Sequence, residues 1–550
     1  MSPARIEIYD TTLRDGTQGL DVSLTSRDKV VLAHKLDAFG IDFVEGGWPG
    51  SNPKDAEFFD MMRDEPLKRA ELTAFGSTCR KLVNPEDDEN LAALLAAETN
   101  VVTIFGKSWT LHVTEALGAT LDENLSMIER SVAFMRAQGR RVIYDAEHFF
   151  DGYAADPGYA LATLDAAARG GAERVVLCDT NGGTMPARIT ELAALATGRF
   201  GAIIGIHAHN DCELAVANSL AAVEAGAIHV QGTINGYGER CGNANLVSIM
   251  PVLALKLGRP QPQQLSGLRE LAREVDERAN LHPNVRAPFV GDGAFAHKGG
   301  VHVSAVNKRP DTYEHVAPEV VGNQRRVLLS DLSGRANVLA KERLFGSEEA
   351  GTPAGAAGAV VARIKQLEHL GYSYEGAEAS FQLLSRRVRG DYQPYFELEG
   401  FTVIVDKRDA GDPNPRCEAS IRVSVGGQLE HTASAGNGPV NALDQAMRKA
   451  LVRFYPTLGE TELVDYKVRV LSGPETGTGS VIRVLVETSD HSESWGTVGA
   501  STNLIEASWQ ALVDAAEYKL LKDGVAPLAG VPESASAREA VSAGPTPAQP

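Results

Sequence analysis

The stretch Ala202-Ile203-Ile204-Gly205-Ile206-His207-Ala208-His209-Asn210-Asp211 decides how this chain is read. An apolar run ends in two histidines two residues apart, then breaks into polar residues. Residues i and i+2 of a strand share a face, so both imidazoles point the same way. Such a pair suits a divalent metal, and it also suits satisfied core histidines. The point where a parallel strand opens into its loop is where α/β folds carry their chemistry.

Two other segments have the same form. Ile6-Glu7-Ile8-Tyr9 runs into Asp10-Thr11-Thr12-Leu13-Arg14-Asp15-Gly16, and His229–Ile234 runs into Asn235-Gly236-Tyr237-Gly238-Glu239-Arg240-Cys241-Gly242-Asn243. Further strand-like runs are Phe43–Glu45, Leu72–Phe75, Val101–Phe105, Arg141–Tyr144 and Arg174–Cys178. Amphipathic helical stretches alternate with them, among them Arg27–Phe39, Leu121–Gln138, Tyr159–Arg169, Pro186–Thr197 and Glu213–Ala225. Strand–helix units at this spacing, about eight in all, predict an α/β fold closed as a (β/α)8 TIM barrel over residues 1–258. Asp15, Glu45, Glu147, Asp179, His207, His209 and Asn235 all fall at or just after strand C-termini, the active face of such a barrel.

The rest of the chain changes character. Pro260–Gln264 breaks the pattern, Leu265–Asn280 reads as an amphipathic helix, and Gly291–His302 is a Gly-rich loop carrying His297 and His302. A break at Gly346–Ala357 precedes a helix over Val360–Gly371, so 259–388 reads as a mostly helical linker region. Residues 389–523 read as an α+β module. Its strands are expected at Phe396–Asp406, Cys417–Val425, Gln428–Ala435, Leu463–Leu471 and Ser480–Thr488, its helices at Pro439–Phe454 and Asn503–Leu521. Residues 524–550, rich in Ala, Pro, Ser and Gly, read as a disordered tail.

Composition narrows the function. A formal net charge of −19 over 550 residues argues against nucleic acid or an anionic membrane as partner, though not against anionic small substrates. The 5 cysteines are scattered without a C-x-x-C, which fits a reducing compartment. No apolar run reaches membrane-spanning length, and strand-like sequence begins too early for a signal peptide, so a cytoplasmic protein is expected.

Each candidate residue has a bland alternative. Asp15 beside Arg14 is either a surface ion pair or a metal ligand beside a guanidinium aimed at developing negative charge. Asn243 is either a ligand through its side-chain oxygen or a left-handed turn residue. His302 is either a surface histidine or a base delivered over the barrel mouth, with His297 a weaker candidate. Glu147 and Thr180 are either substrate contacts or scaffold. Gly473–Ser480 is either an anion nest or a flexible turn.

Taken together, the segments 10–16, 207–211 and 235–243 resemble the 2-isopropylmalate synthase/homocitrate synthase/citramalate synthase family. The resemblance runs over roughly residues 4–523. Its C-terminal part, with His431-Thr432-Ala433-Ser434-Ala435-Gly436-Asn437-Gly438-Pro439, looks like the regulatory domain of these synthases. Glu45-Gly46-Gly47-Trp48-Pro49-Gly50-Ser51-Asn52-Pro53-Lys54-Asp55 and Asp145–Tyr153 resemble the citramalate branch.

The resemblance implies condensation of acetyl-CoA with pyruvate followed by thioester hydrolysis. Asp15, His207, His209 and Asn243 match the positions that hold a divalent metal (Zn, Mn, Mg or Co). Arg14 would stabilise developing negative charge, Thr180 hold the keto acid carboxylate, Glu147 contact substrate or water, and His302 act as base or relay. Tyr144 or Phe105 would fill the space of a larger keto acid. A homodimer inhibited by isoleucine is implied. The alternatives are 2-isopropylmalate synthase with leucine as effector, a metal-dependent acyl-CoA lyase, and an inactive regulator. One departure is visible: Gln324-Arg325-Arg326-Val327-Leu328-Leu329 lacks a tyrosine common there in isopropylmalate synthases.

Overall fold

The structure, a computed structural model, describes residues 5–328, 337–339, 354–407, 415–471 and 479–528. Leu329, most of the 473–480 loop and residues 529–550 of the expected tail lie outside the described residues. The chain divides into two compact units, residues 1–295 with 316–325, and 296–315 with 326–550.

The first unit is a closed parallel barrel of 8 strands in chain order. They are β1 (Glu7–Asp10), β2 (Phe43–Gly47), β3 (Glu71–Ser77), β4 (Val101–Lys107), β5 (Arg141–Glu147), β6 (Arg174–Asp179), β7 (Ile204–Ala208) and β8 (His229–Gly232). β1 pairs with β8, Tyr9 opposite Gln231, and this closes the cylinder.

The helices between the strands begin where the sequence supplies caps. Thr25 caps α1 (Ser26–Phe39) in a reciprocal box with Asp28, and Gly40 ends it in the left-handed region at φ 103°. Asn52 caps α2 (Pro53–Asp64), with proline in the first turn, where its missing N–H has no partner to lose. Next come α3 (Glu89–Ala96) and α4 (Leu121–Ala137), the latter capped by Thr120 and Glu123. The short α5 (Phe149–Ala155) leads into α6 (Pro157–Gly170), capped by Asp156. α7 (Pro186–Phe200), α8 (Ala215–Glu224) and α9 (Leu246–Leu255) complete the ring, and α10 (Leu268–Arg278) follows it.

Strand alternation sorts side chains into two cores. Tyr9, Phe43, Val101, Ile143, Val176 and Cys178 fill the lumen. Their neighbours Ile8, Val44, Val102, Val142, Val175 and Leu177 face the helices. Near the N-terminal strand ends, Arg174 grips Glu7 bidentately at 2.6 and 2.8 Å, and His229 Nδ1 lies 3.1 Å from the same carboxylate. Polar pairs thus fill that end of the lumen.

In the second unit the Gly-rich segment ends in a helix, α11 (Gly300–Lys308), with Val303 and Val306 buried. The glycines hide this helix from a sequence reading. α12 (Ala354–His369) and α13 (Glu378–Arg389) follow, and Val360, Ile364, Tyr374 and Phe381 share one core. Two antiparallel sheets come next: β9 (Glu397–Asp406), β10 (Arg416–Val425) and β11 (Gln428–Gly436), then β12 (Glu462–Val470), β13 (Ile482–Ser489) and β14 (Ser494–Ser501). Each sheet is followed by a helix, α14 (Pro439–Leu451) and α15 (Leu504–Lys522), and both helices pack into a common core.

β14, absent from the sequence expectation, reads SWGTVGAS and has little strand propensity. Its glycines serve close packing. A Cβ on Gly496 would stand 1.9 Å from the Gly376 carbonyl oxygen, and one on Gly499 2.0 Å from that of Ala507.

Candidate active site

Asp15 is delivered by a turn built from its own neighbours. The Asp10 carboxylate accepts from Thr12 N at 3.0 Å and Thr12 Oγ1 at 2.8 Å. Thr12 Oγ1 in turn accepts from Ile234 N at 2.8 Å, tying the β1 loop to the end of β8. Asp15 is thereby held almost fully buried.

His207 is the penultimate residue of β7, and His209, just past its end, forms an antiparallel bridge with Asn243 from the loop after β8. Glycines make that bridge possible. A Cβ on Gly238 would lie 2.2 Å from Asn243 Nδ2, and one on Gly242 2.0 Å from the Gly236 carbonyl oxygen. Gly242 is the left-handed residue here, at φ 90°, so Asn243 is not the turn residue.

Three side chains therefore share one end of the lumen, and the bridge to His209 brings Asn243 alongside. Ligand atoms of Asp15, His207 and His209 lie within 4.8 Å of one another. His207 Nε2 is 3.3 Å from His209 Nε2 and 3.4 Å from Asp15 Oδ2. Asn243 Nδ2 donates to the Tyr237 carbonyl at 3.1 Å, while its Oδ1 is buried without a hydrogen-bond partner. Two imidazole nitrogens, a carboxylate and an orphaned carboxamide oxygen are a donor set that fits a divalent cation.

The electrostatics of Asp15 and His209 agree with that use; burial would lower the pKa of His207, but Asp15 raises it. Burial alone would raise the pKa of Asp15, but Arg14 and His207 hold it well below the carboxylate range. Burial and the neighbouring His207 push His209 down to about 4, which favours a neutral, lone-pair-bearing ring.

A buried relay fixes the orientation of His207. Its Nδ1 lies 2.8 Å from Gln231 Oε1, and Gln231 Nε2 donates to Asp145 Oδ1 at 3.0 Å. With its hydrogen on Nδ1, toward Gln231, His207 would present the Nε2 lone pair to a cation in place of its contact with Asp15. Burial raises Asp145 to about 7. Neither Gln231 nor Asp145 stands out in the sequence as a site residue. The one available signal is a glutamine inside an otherwise apolar run.

Arg14 lies beside this set. Its Nε donates to Glu45 Oε1 at 2.6 Å, its Nη1 is 3.4 Å from Asp15 Oδ1, and its guanidinium carbon stands 3.7 Å over the Phe75 ring. Burial opposes the charge, but Glu45 and Asp15 keep it fixed. Glu45 is itself held by Tyr9 and Thr11. On the side of the barrel formed by β4 to β6, Glu147 pairs with Lys107. Thr180 Oγ1 accepts from His148 N at 2.8 Å, which leaves its own proton for another acceptor.

The expectation for Tyr144 needs correction. Strand alternation puts Ile143 in the lumen core and Tyr144 in the core facing the helices, fully buried. A Cβ on Gly106 would meet Tyr144 Oη at 2.8 Å and Ile128 of α4 at 3.1 Å, which places that ring outside the barrel mouth. Phe105 does face the mouth, stacked on Phe75 at 5.3 Å.

Asp179 and Asn235 are also turned aside. Asp179 accepts from Thr184 Oγ1 at 2.7 Å, and Asn235 donates to Asp276 at 2.6 Å. His302 belongs to the second unit, on the first turn of α11, stacked on Tyr313 at 4.2 Å. In the same unit His297 is buried, 3.1 Å from Glu314.

Three family models match the chain in succession: HMGL-like over residues 5–275, homocitrate synthase post-HMGL domain-like over 289–370, and the LeuA allosteric (dimerisation) domain over 375–520. The (R)-citramalate synthase of Geobacter sulfurreducens is 55% identical, over 94% of this chain and 98% of that protein. That of Synechocystis sp. is 53% identical, over 93% and 96%. The chain belongs to the (R)-citramalate synthase family. The 2-isopropylmalate synthase of Salmonella typhi is more distant, 30% identical over 92% of this chain and 94% of that protein. Within the family, the site just described occupies the HMGL-like part, and both three-stranded sheets with their helices lie in the LeuA part. No helix among the described residues is long and apolar enough to cross a membrane.

Proposed function

We propose that the chain condenses acetyl-CoA with pyruvate and releases (R)-citramalate and CoA, acting as an acyltransferase at the head of a route to isoleucine. The observation that carries the reading is the convergence of Asp15, His207 and His209 beside a fixed guanidinium, with the buried, unpartnered oxygen of Asn243 on the residue bridged to His209. The identity to citramalate synthases over nearly the whole chain supports it. Those four residues would hold a divalent cation, Zn, Mn, Mg or Co. When bound, it supplies Lewis acidity toward the keto acid.

The protein groups divide the remaining work. Thr180, its oxygen already engaged by His148 N, offers its proton to the keto acid carboxylate. Arg14 faces the negative charge that develops as the acetyl methyl loses a proton and its carbon bonds to the keto carbon. The family resemblance assigns His302, on α11 of the second unit, the role of base or relay for that proton. Glu147 positions the water that cleaves the thioester. The methyl group of an acetyl thioester is a very weak carbon acid, so charge stabilisation must accompany proton removal.

The second unit is proposed to dimerise and to bind isoleucine as a feedback inhibitor, and such feedback requires unequal affinity for two conformations. A cytoplasmic location is proposed from the free cysteines, Cys79, Cys178, Cys212, Cys241 and Cys417.

The test is CoA release by metal-loaded protein with pyruvate and 2-oxoisovalerate in parallel. Pyruvate-selective turnover is expected. Selective use of 2-oxoisovalerate moves the chain to the isopropylmalate reaction, and silence with both refutes the synthase reading.

A further inference from the structure

We propose that Trp48 is the specificity-determining wall of the keto-acid pocket, swung into the barrel mouth by a glycine bulge in β2. The proposal rests on the pyruvate reading above.

Along β2, Phe43 lies in the lumen core and the Glu45 carboxylate meets Tyr9 and Arg14 there. Simple alternation from these two residues sends Trp48 outward, among the helices. The register with β3 shifts instead: Glu45 stands opposite Thr73 and Gly47 opposite Ala74. One extra residue reverses the parity of everything after it. Trp48 thereby joins the inward-facing rings, edge-on to Phe75 at 5.7 Å and to Phe105 at 5.5 Å.

Only glycine fits the two bulge positions. A Cβ on Gly46 would stand 2.1 Å from Phe58 Cε1, and one on Gly47 2.4 Å from Asp55 Cγ.

Trp48 is then pinned at its backbone and at its indole. Asp55 accepts from Trp48 N at 2.8 Å and pairs with the buried Lys29, whose Nζ donates to the Gly46 carbonyl at 3.2 Å. Trp48 Nε1 donates to Asn90 Oδ1 at 2.8 Å, and Asn90 Nδ2 donates to the Ser77 carbonyl at 2.7 Å. Phe75, which takes one edge of the indole, also carries the Arg14 guanidinium 3.7 Å above its ring. The proposal seats the keto acid near Arg14 with its alkyl group toward this wall, which cannot recede. On this placement a methyl group would fit beside the rings and an isopropyl group would overlap them.

The experiment measures kcat/KM for pyruvate, 2-oxobutanoate and 2-oxoisovalerate by CoA release, using the full chain and its Trp48→Ala, Trp48→Phe and Asn90→Ala variants. Trp48→Ala is expected to raise the 2-oxoisovalerate-to-pyruvate ratio by about tenfold or more, mostly through KM. Asn90→Ala, which frees the indole without removing it, moves the ratio the same way by less. A Trp48→Ala protein with native circular dichroism and an unchanged ratio overturns the proposal. If that variant does not fold, unchanged ratios in both Trp48→Phe and Asn90→Ala overturn it. An unmutated protein that does not turn over pyruvate refutes the underlying reading, and that outcome is visible before any variant is assayed.

Discussion

Replacing Gln231 by leucine removes the one side chain that joins His207 to Asp145. The shapes are similar and the position is fully buried, so little cavity forms. Two hydrogen bonds vanish, at 2.8 Å to His207 Nδ1 and 3.0 Å to Asp145 Oδ1. Each buried group left unpaired costs about 1–3 kcal/mol. Asp145 falls at the low end, because burial raises its pKa to about 7 and much of it is already neutral. The expected loss of metal-free stability is about 2–4 kcal/mol. Losing the partner that fixes a metal-binding histidine weakens metal affinity by about 10–100-fold, or about 1.4–2.7 kcal/mol. Chelator competition gives the affinity, and melts with and without Mn or Zn separate the two effects. Gln231→Glu keeps an acceptor for His207 and should retain affinity while making it steeper in pH. A folded Gln231→Leu protein with native metal affinity and a lower melting temperature refutes the relay and leaves Gln231 as packing alone.

Tyr144→Ala should lose about 3–5 kcal/mol of stability by thermal melt and leave the keto-acid ratio unchanged, since the ring packs against α4; a changed ratio contradicts that placement. Arg14→Lys surrenders both the Nε contact to Glu45 and the flat stack on Phe75, so kcat should fall by about 100-fold or more with a smaller change in KM; a near-native kcat in steady-state assays defeats this role. Burial alone would raise Glu7, but His229 and Arg174 hold its pKa at about 2 against 4.5 when unfolded. The native state is the weaker proton binder, so this contribution is full above pH 4.5 and lost as pH falls from 4.5 to about 2. It amounts to about 1–2 kcal/mol after allowing for partial exposure, and Glu7→Gln should flatten the acid limb followed by circular dichroism; an unchanged limb rules it out.

The barrel was legible because its strands are short apolar runs that break into polar loops, and the same property exposed His207, His209 and Asp15. Asn243 was legible only through its motif. Its buried, unpartnered oxygen is a product of the glycines around it and has no local signature. Tyr144 was misplaced because size was weighed without parity, although Ile143 and Asp145 on either side already assign it to the outer face. Trp48 was hidden for the opposite reason. Parity predicts it wrongly, and only the register shift corrects it. Gln231 and Asp145 meet across the lumen from β8 and β5, a contact no single segment encodes. The strand Ser494–Ser501 was invisible because its glycines serve close backbone approach rather than propensity.

The pairing of β1 with β8 also has a kinetic side. Asp15 follows the first strand, while His207, His209 and Asn243 belong to the seventh strand and the loop after the eighth. No early portion of the chain contains the complete set, and the two parts meet only when the sheet closes on itself. That contact spans nearly the whole barrel sequence, so its loop-closure entropy is among the largest in the unit and its formation among the slowest steps. A cation captured there would act on the last event of folding, slowing the barrel's reopening more than it speeds assembly. The moment at which a refolding chain first retains metal would therefore time the closing of the cylinder.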